Sequence, residues 1–531
     1  MKRIKYILAI TLVGILSLAS CQSDWLDTTP TDSADSGSLL STTDNAKQAL
    51  NGICKLMSMQ HAYYGEGFNG EGTIMSMYGE FMGQDCENIM FAPGWSTMYN
   101  GKINVSNTRI YDAYPWYYYY LIIGNANSLL SSIDNASGDA NSRDFIKAEA
   151  LTFRAHAYSM LVQFYSNSWK TSNNGTSAGV PLRLDTSKDS LALSTLGQCY
   201  DQIFADSKQA ISLYKSSGLS RNSVYSSSAV CFPNINVAYG IYARAALNKE
   251  DYKDAVLYAD SARTGYALMS NDDYKSGFCA PSSEWIWGTY NDSSENLYYW
   301  SYQVTMAYNG YYAAQAGYDI VANKTLIDAL PSGDVRKNLF INSDVFLYGT
   351  KSYSDLIENQ YGSFTDDEAY NKANDYATKN CKYTPGTINF PYQNLKFACT
   401  DLPGVGDVPL MRSSEMLLIE AEANYYLSRP QAAQQNLIEL NTSTNRTPSY
   451  TCTKTGDDLL QEIRLYRRAE LWGEGHSWFD CKRWGINVYR PGFNNGGNFH
   501  AAIAGTYGSD ASFWKWIIPA KETDYNSAIK N

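Results

Sequence analysis

The chain has 531 residues, enough for a large core and longer than one ordinary domain, with a formal net charge of -11. No long basic run appears, which argues against nucleic acid and against electrostatic docking on anionic lipid. The outlier is aromatic content, 14% with 44 Tyr; tyrosine suits half-exposed recognition surfaces, although much of it must serve core and interfaces.

The first residues read as a targeting segment. Lys2, Arg3 and Lys5 form a positive region, and Tyr6 to Leu18 an apolar stretch too short to span a bilayer. Leu18-Ala19-Ser20-Cys21 then looks like a bacterial lipobox, with Cys21 as the acylated first residue. Residues 1–20 are therefore read as a lipoprotein signal peptide, with a plain secretory signal as the alternative. Residues 21–43, rich in Ser, Thr and Asp, read as a lipidated tether. No other segment is apolar for long enough to cross a bilayer, so the remainder reads as a soluble body held by acyl chains.

A first helix is predicted over Asn45–Met59. The run from Gly65 to Gly70 matches GxGxxG, but a helix precedes it and Glu66 and Glu71 would repel phosphate, so it reads as loop glycine. Residues 73–115 read as irregular, which makes 60–115 a loop insertion in a helical scaffold over 44–265. Helices are predicted over Trp116–Ile133 and Phe145–Tyr165, then at about 195–214, 234–248 and 251–264. Ala148, Ala150, Ala155 and Ala157 should let helices approach closely. The 234–264 pair is close to a tetratricopeptide unit, with Tyr252, Ala255, Ala259 and Ala262 on its packing face and Gly265 as its stop.

Residues 266–411 break the array with β-like Glu284–Tyr290 and turn-rich pieces such as Asn291–Ser294. Long insertions of this kind are usually functional surfaces, so 266–411 is read as a loop-rich ligand-binding insertion. Another helix pair is predicted at about 412–428 and 430–443, opening a C-terminal repeat and signature region over 412–531. Such pairs cannot bury their apolar faces alone and should stack into a right-handed superhelix. The fold class is mainly α: a tetratricopeptide-like helix-pair superhelix with a loop-rich insertion holding short strands.

The densest signal is Glu462 to Trp484, EIRLYRRAELWGEGHSWFDCKRW. Leu459, Ile463, Tyr466, Ala469 and Trp472 share a helix face, Thr455 and Asp458 fit a capping box, and Gly473 and Gly475 end the helix. Arg467, Arg468, Glu470 and Glu474 read as an ion-pair network pinning this corner; a sharper reading makes Glu474 and His476 an acid/base pair.

This stretch resembles the C-terminal signature of the SusD/RagB family of outer-membrane glycan-binding lipoproteins. The match runs through Arg467, Arg468, Glu470, Leu471, Glu474, Gly475, Trp478, Phe479, Asp480, Arg483 and Trp484. Tyr466 and Ser477 depart from it, where the family often has Glu and Arg. The helix beginning RSSEMLLIEAEA at Arg412 and the Ile518-Pro519 to Glu522 ending are similar to the same family. The resemblance implies a structural role for the signature. It also implies capture of a glycan and its delivery to a SusC-like TonB-dependent transporter, from a lipid-anchored, surface-exposed position on the outer membrane. Ligand contacts would come from the loop after the first helix and from the later insertion.

Sugar rings present flat C–H faces rimmed by hydroxyls and need exposed aromatic planes beside polar groups. Asp85–Asn100 offers Phe91, Trp95 and Tyr99. Asn291–Tyr318 offers Tyr298, Tyr299, Trp300, Tyr302, Tyr308, Asn309, Tyr311, Tyr312 and Gln315. The candidate glycan-binding residues are Trp95, Tyr99, Tyr298, Tyr299, Trp300, Tyr311 and Tyr312, with core packing as the competing reading of each. Among 53 acidic residues no spacing singles out a glycosidase pair, and there is no GxSxG, so the chain reads as a non-enzyme. The four His show no metal-ligand spacing, and no metal or other cofactor is indicated. Setting Cys21 aside leaves nine of the 10 cysteines, an odd number with no CxxC, so at least one should be free or externally paired. A surface-anchored glycoside hydrolase and a peptide- or protein-binding relative on the same scaffold stand as alternatives.

Overall fold

A computed structural model describes residues 40–63, 66–225, 229–293 and 301–529. Cys21, Tyr298, Tyr299 and Trp300 lie outside these residues. Helix α1 (Thr43–Leu56) starts where the Thr42 hydroxyl accepts from the Asn45 amide, and buries Ala46, Leu50 and Ile53.

Residues 70–81 correct the reading of 73–115 as irregular. Gly70–Thr73 is α-helical and Ile74–Phe81 continues it as a π-helix; together they form α2, and all of it is buried. Its polar residues Glu71, Thr73, Ser76 and Glu80 are buried together with the apolar ones, and its glycines are poor helix formers, so the segment reads as loop from sequence. A Cβ on Gly79 would sit 2.3 Å from the Gly475 carbonyl oxygen, so only glycine lets α2 lie against that corner.

Helix α3 (Ile110–Ser132) begins at Ile110 instead of Trp116 and contains Pro115. Proline has no N–H for the Tyr111 carbonyl, and the Tyr78 hydroxyl of α2 donates to that oxygen instead, at 2.9 Å. Helix α4 (Ala140–Tyr165) is capped by Asp139 and buries all four predicted alanines. Helix α5 (Leu196–Ser217) opens with a Thr195/Gln198 capping box and stops at left-handed Gly218. Next come α6 (Ile235–Asn248) and α7 (Tyr252–Arg263). The C-terminal part adds α8 (Ser413–Tyr426), α9 (Pro430–Thr442), α10 (Gly456–Glu470) and α11 (Ser477–Trp484). Thr455 is the N-cap of α10, but its side chain makes no capping bond. The first helical residue, Gly456, has φ +54°, and the capping box does not form.

Each helix from α3 to α9 packs on the next, and α1 lies on α3 and α4. The contact of α7 with α8 carries the array across residues 266–411. Two short antiparallel pairs tie that insertion down. Strand β1 (Cys86–Asn88) pairs with β3 (Ile320–Ala322), and β2 (Trp285–Gly288) pairs with β4 (Pro409–Arg412), which runs straight into α8. Gly240 of α6 would place a Cβ 2.2 Å from the Met411 sulfur, so the helix meets β4 at a glycine. Among the described residues, no helix is long and apolar enough to cross a membrane.

Candidate functional site

The corner between α10 and α11 is where the insertion is held. Arg412 donates to Glu474 through Nε at 2.7 Å and Nη2 at 2.6 Å, and to Glu284 at 2.5 Å. Lys396 reaches Glu474 at 2.7 Å. Glu470 takes Arg412 and Arg446 at 3.1 Å and Arg336 at 3.3 Å. Burial alone would raise the Glu470 carboxyl, but Arg446, Arg412 and Arg336 together hold it well below the usual range. The network expected of Glu470 and Glu474 therefore exists, with different partners. Arg467 pairs with Asp480 at 2.6 Å, and Arg468 with Asp85 at 2.5 Å.

The carboxylate of Glu474 is taken by Arg412 and Lys396, and among the described residues no hydrogen bond joins it to His476. Against the pull of burial, Arg412 and Lys396 lower the Glu474 carboxyl. Burial brings His476 down to about 4, so its ring is neutral near pH 7. Both residues line a cavity of about 80 Å³ inside the scaffold, beside Glu71, Arg244, Glu415 and Asp480. Its carboxylates are engaged: Glu415 by Arg244 at 2.6 Å, Glu71 by His156 at 2.9 Å, and Asp480 by Arg467.

Asp85 is the root of the first aromatic segment. Besides Arg468, its backbone oxygen accepts from the Trp472 indole at 2.6 Å and its carboxylate from Ser477 Oγ at 3.2 Å. From that anchor β1 runs along β3, and the Ile89 amide donates to the Asp319 carbonyl at 3.1 Å. The Asn88 side chain accepts from the Phe91 amide at 3.1 Å and starts the turn Phe91–Gly94. On the other side Tyr312–Ala316 forms a single π-helical turn that stops at Gly317 with φ +67°. The Tyr318 amide then bonds back to the Tyr312 carbonyl at 2.9 Å.

The pairing of β1 with β3 thus brings the two aromatic segments together. Phe91 and Trp95 stack at 4.7 Å between centroids and 11° between planes. Phe91 also meets the Tyr312 ring edge-on at 5.1 Å and Tyr318 at 4.8 Å. Tyr312 contacts Tyr311 at 5.9 Å and Tyr318 at 5.7 Å. Phe91, Trp95, Tyr311 and Tyr318 are half-buried, and Met90 and Gln315 beside them are exposed. Tyr312 is only 8% exposed and acts as the underlay that joins the rings. Next to Tyr318 in the chain is buried Asp319, whose carboxylate accepts from Gln393 at 2.7 Å. Burial, opposed by a hydrogen bond from Asn389, pushes Asp319 up to about 7.

Tyr99 is not part of this surface. It is fully buried, stacks on Phe81 at 5.5 Å, accepts the Asn88 amide at 3.0 Å and lies under the Arg490 guanidinium. Tyr302 and Tyr308 are buried as well, the former donating to the Gly473 carbonyl at 2.6 Å. Asn309 spends both ends of its amide on the Cys399 backbone. Phe91 is read from sequence as an aromatic of the first segment and Tyr318 closes the second, but neither is among the seven candidate glycan-binding residues. Their only signal was the shared segments, because the ring contacts span more than two hundred residues.

The described residues form a stacked helix-pair scaffold whose insertions bring aromatic rings to the surface. Family comparison places it. Residues 24–247 match a family model described as "Starch-binding associating with outer membrane", and residues 283–529 match the SusD family model. The chain belongs to the SusD/RagB family. It is similar to a SusD-like carbohydrate binding protein from Bacteroides vulgatus ATCC 8482, at 22% identity and TM-score 0.68, over 92% of this chain and 97% of that one. A SusD superfamily protein from Bacteroides thetaiotaomicron VPI-5482 aligns at 24% identity and TM-score 0.67, over 92% and 99% of the two chains. A SusD superfamily protein from Bacteroides fragilis aligns at 20% and 0.68, over 93% and 100%. These likenesses establish the fold. No curated protein sequence matches the chain.

Proposed function

We propose that the chain binds a glycan on the surface formed by Trp95, Phe91, Tyr311 and Tyr318, with Tyr312 beneath. The observation that carries this reading is the meeting of two aromatic segments, from 91–95 and 311–318, in one half-exposed cluster. Parallel rings offer an apolar plane to the C–H face of a sugar, and exposed Gln315 lies at its rim. Tyr298, Tyr299 and Trp300 extend the same proposal by their place in the sequence. The chain acts as a capture protein and not as an enzyme. It is anchored through Cys21 to the outer membrane, on the cell surface, and passes its ligand to a SusC-like TonB-dependent transporter. The SusD/RagB membership and the lipobox-like Leu18–Cys21 support that route.

An open platform buries little ligand surface, so the dissociation constant should fall at roughly 10 μM to 1 mM, about -7 to -4 kcal/mol. A carbohydrate array followed by calorimetry on the retained glycan checks this. Retention without product release is expected. Release of shortened glycan would favour a hydrolase, and retention of peptides alone would favour the protein-binding alternative.

A further inference from the structure

The odd cysteine count left the pairing of the thiols open, and the fold brings two of them together. Cys54 lies on the buried face of α1, and Cys231 lies 177 residues later in the buried segment before α6. Cys54 Sγ donates to the Cys231 carbonyl oxygen at 3.4 Å, which brings the two cysteines into direct contact. The Cys231 backbone is itself fixed. Its carbonyl accepts from the Trp287 indole at 2.8 Å, and the Val230 carbonyl accepts from the Gly288 amide at 3.3 Å, both groups of β2. Phe232 stacks on Tyr225 at 3.7 Å. One thiol therefore sits on a packed helix, against the backbone of the other cysteine on a segment bonded to the insertion. Other thiols are committed differently: Cys199 donates to the Val180 carbonyl, Cys399 to the Asn309 carbonyl and Cys279 to the Tyr383 hydroxyl.

We propose that Cys54 and Cys231 form a redox-active dithiol that closes to a disulfide and staples α1 to the base of the insertion at β2. The surroundings set the order of attack. The hydrogen bond from Cys54, opposed by burial, draws the Cys231 thiol below its usual range, with Arg221 adding to the effect. Burial, then the same hydrogen bond, pushes Cys54 well up. Cys231 is thus the thiolate that attacks. With a small-molecule disulfide as oxidant, the Cys231 sulfur bonds to one of its sulfurs and the other leaves as thiolate with the bonding pair. That thiolate takes the Cys54 proton. The Cys54 sulfur then attacks Cys231 Sγ, and the second small thiolate leaves and is protonated by solvent, replacing the proton Cys231 had lost. Two protein thiols are oxidised, and one small disulfide is reduced to two thiols.

The full chain is incubated with oxidised glutathione, both folded and during refolding from denaturant in a glutathione buffer. Residual thiols are alkylated in denaturant, and peptides are mapped without reduction. A linked peptide joining Cys54 and Cys231 is expected, together with a rise of about 4 °C in Tm that dithiothreitol reverses. Cys231→Ser should lose both the link and the rise. Alkylation of both cysteines after both treatments overturns the proposal. So does a stable glutathione adduct on Cys231 with Cys54 left free, or linkage of Cys54 to a different cysteine.

Discussion

Tyr99 and Trp95 lie four residues apart, and their sequence context is nearly the same. Both stand in a short, loop-like run with no helical spacing, yet one is core and the other half-exposed. What separates them is Arg490 and Phe81, placed over and under Tyr99 by elements outside that run. Sequence spacing cannot report partners that distant, so the aromatic segments were legible while the sorting of their rings was not. Glu80 is a second residue whose state depends on distant neighbours. It accepts from the Gly475 and His476 amides at 2.7 and 3.0 Å. Burial, with the charge of Asp85 behind it, lifts its carboxyl from 4.5 to about 8. A raised folded-state pKa gives stability that is full below the unfolded value and is lost as pH rises through the folded one. The loss attributable to Glu80 therefore falls between about pH 4.5 and 8. Glu87, also lifted to about 8, and Asp112, lifted to about 9, act in the same direction. Glu80→Gln keeps a neutral group in place. Its unfolding free energy should gain on the wild type by about 2–5 kcal/mol between pH 5 and 8.5, read from urea denaturation at several pH values. A constant gap across that range would show that Glu80 is ionised in the folded protein.

Helices with an exposed face were readable from sequence, because a 3.6-residue period and a cap are local properties. α5, α6 and α7 fall within a few residues of their expected bounds for that reason. α2 was not readable, because Gly70, Gly72 and Gly79 weaken its helix propensity and the contacts that bury its Glu71 and Glu80 come from distant elements. The α10–α11 corner was legible as a structural network, but only half of its chemistry was local. The cations that hold Glu470 and Glu474 come from 336, 396, 412 and 446, so the signature acts as a clamp on the insertion. Ser477 departs from the family pattern at a place where it packs on Gly83. A Cβ on Gly83 would come within 2.3 Å of the serine oxygen, so the close approach of Ser477 relies on glycine at 83. Glu474→Ala leaves Arg412 and Lys396 buried with one partner fewer and should cost about 3–5 kcal/mol by chemical denaturation. A variant that keeps wild-type stability and loses only ligand binding would return Glu474 to a direct role.

Across the whole molecule, the array and the insertion divide the work. The helices continue from α7 to α8 as if residues 266–411 were absent, and the insertion is fixed at β2–β4, at β1–β3 and at the charged corner. The aromatic surface is built where the second of these ties brings 91–95 against 311–318. The proposed capture at the cell surface requires a route inward. Gentle detergent extraction should co-purify a large β-barrel protein with the full chain, and recovery of the chain alone would count against the transporter partnership. The binding surface itself is tested by calorimetry of the array-identified glycan against Trp95→Ala and Tyr311→Ala, with Tm recorded for each. Both rings are half-exposed, so both variants should stay within about 2 °C of the wild-type Tm and bind at least about tenfold more weakly, 1.4 kcal/mol or more. Wild-type affinity in either folded variant would contradict a single platform shared by the two segments.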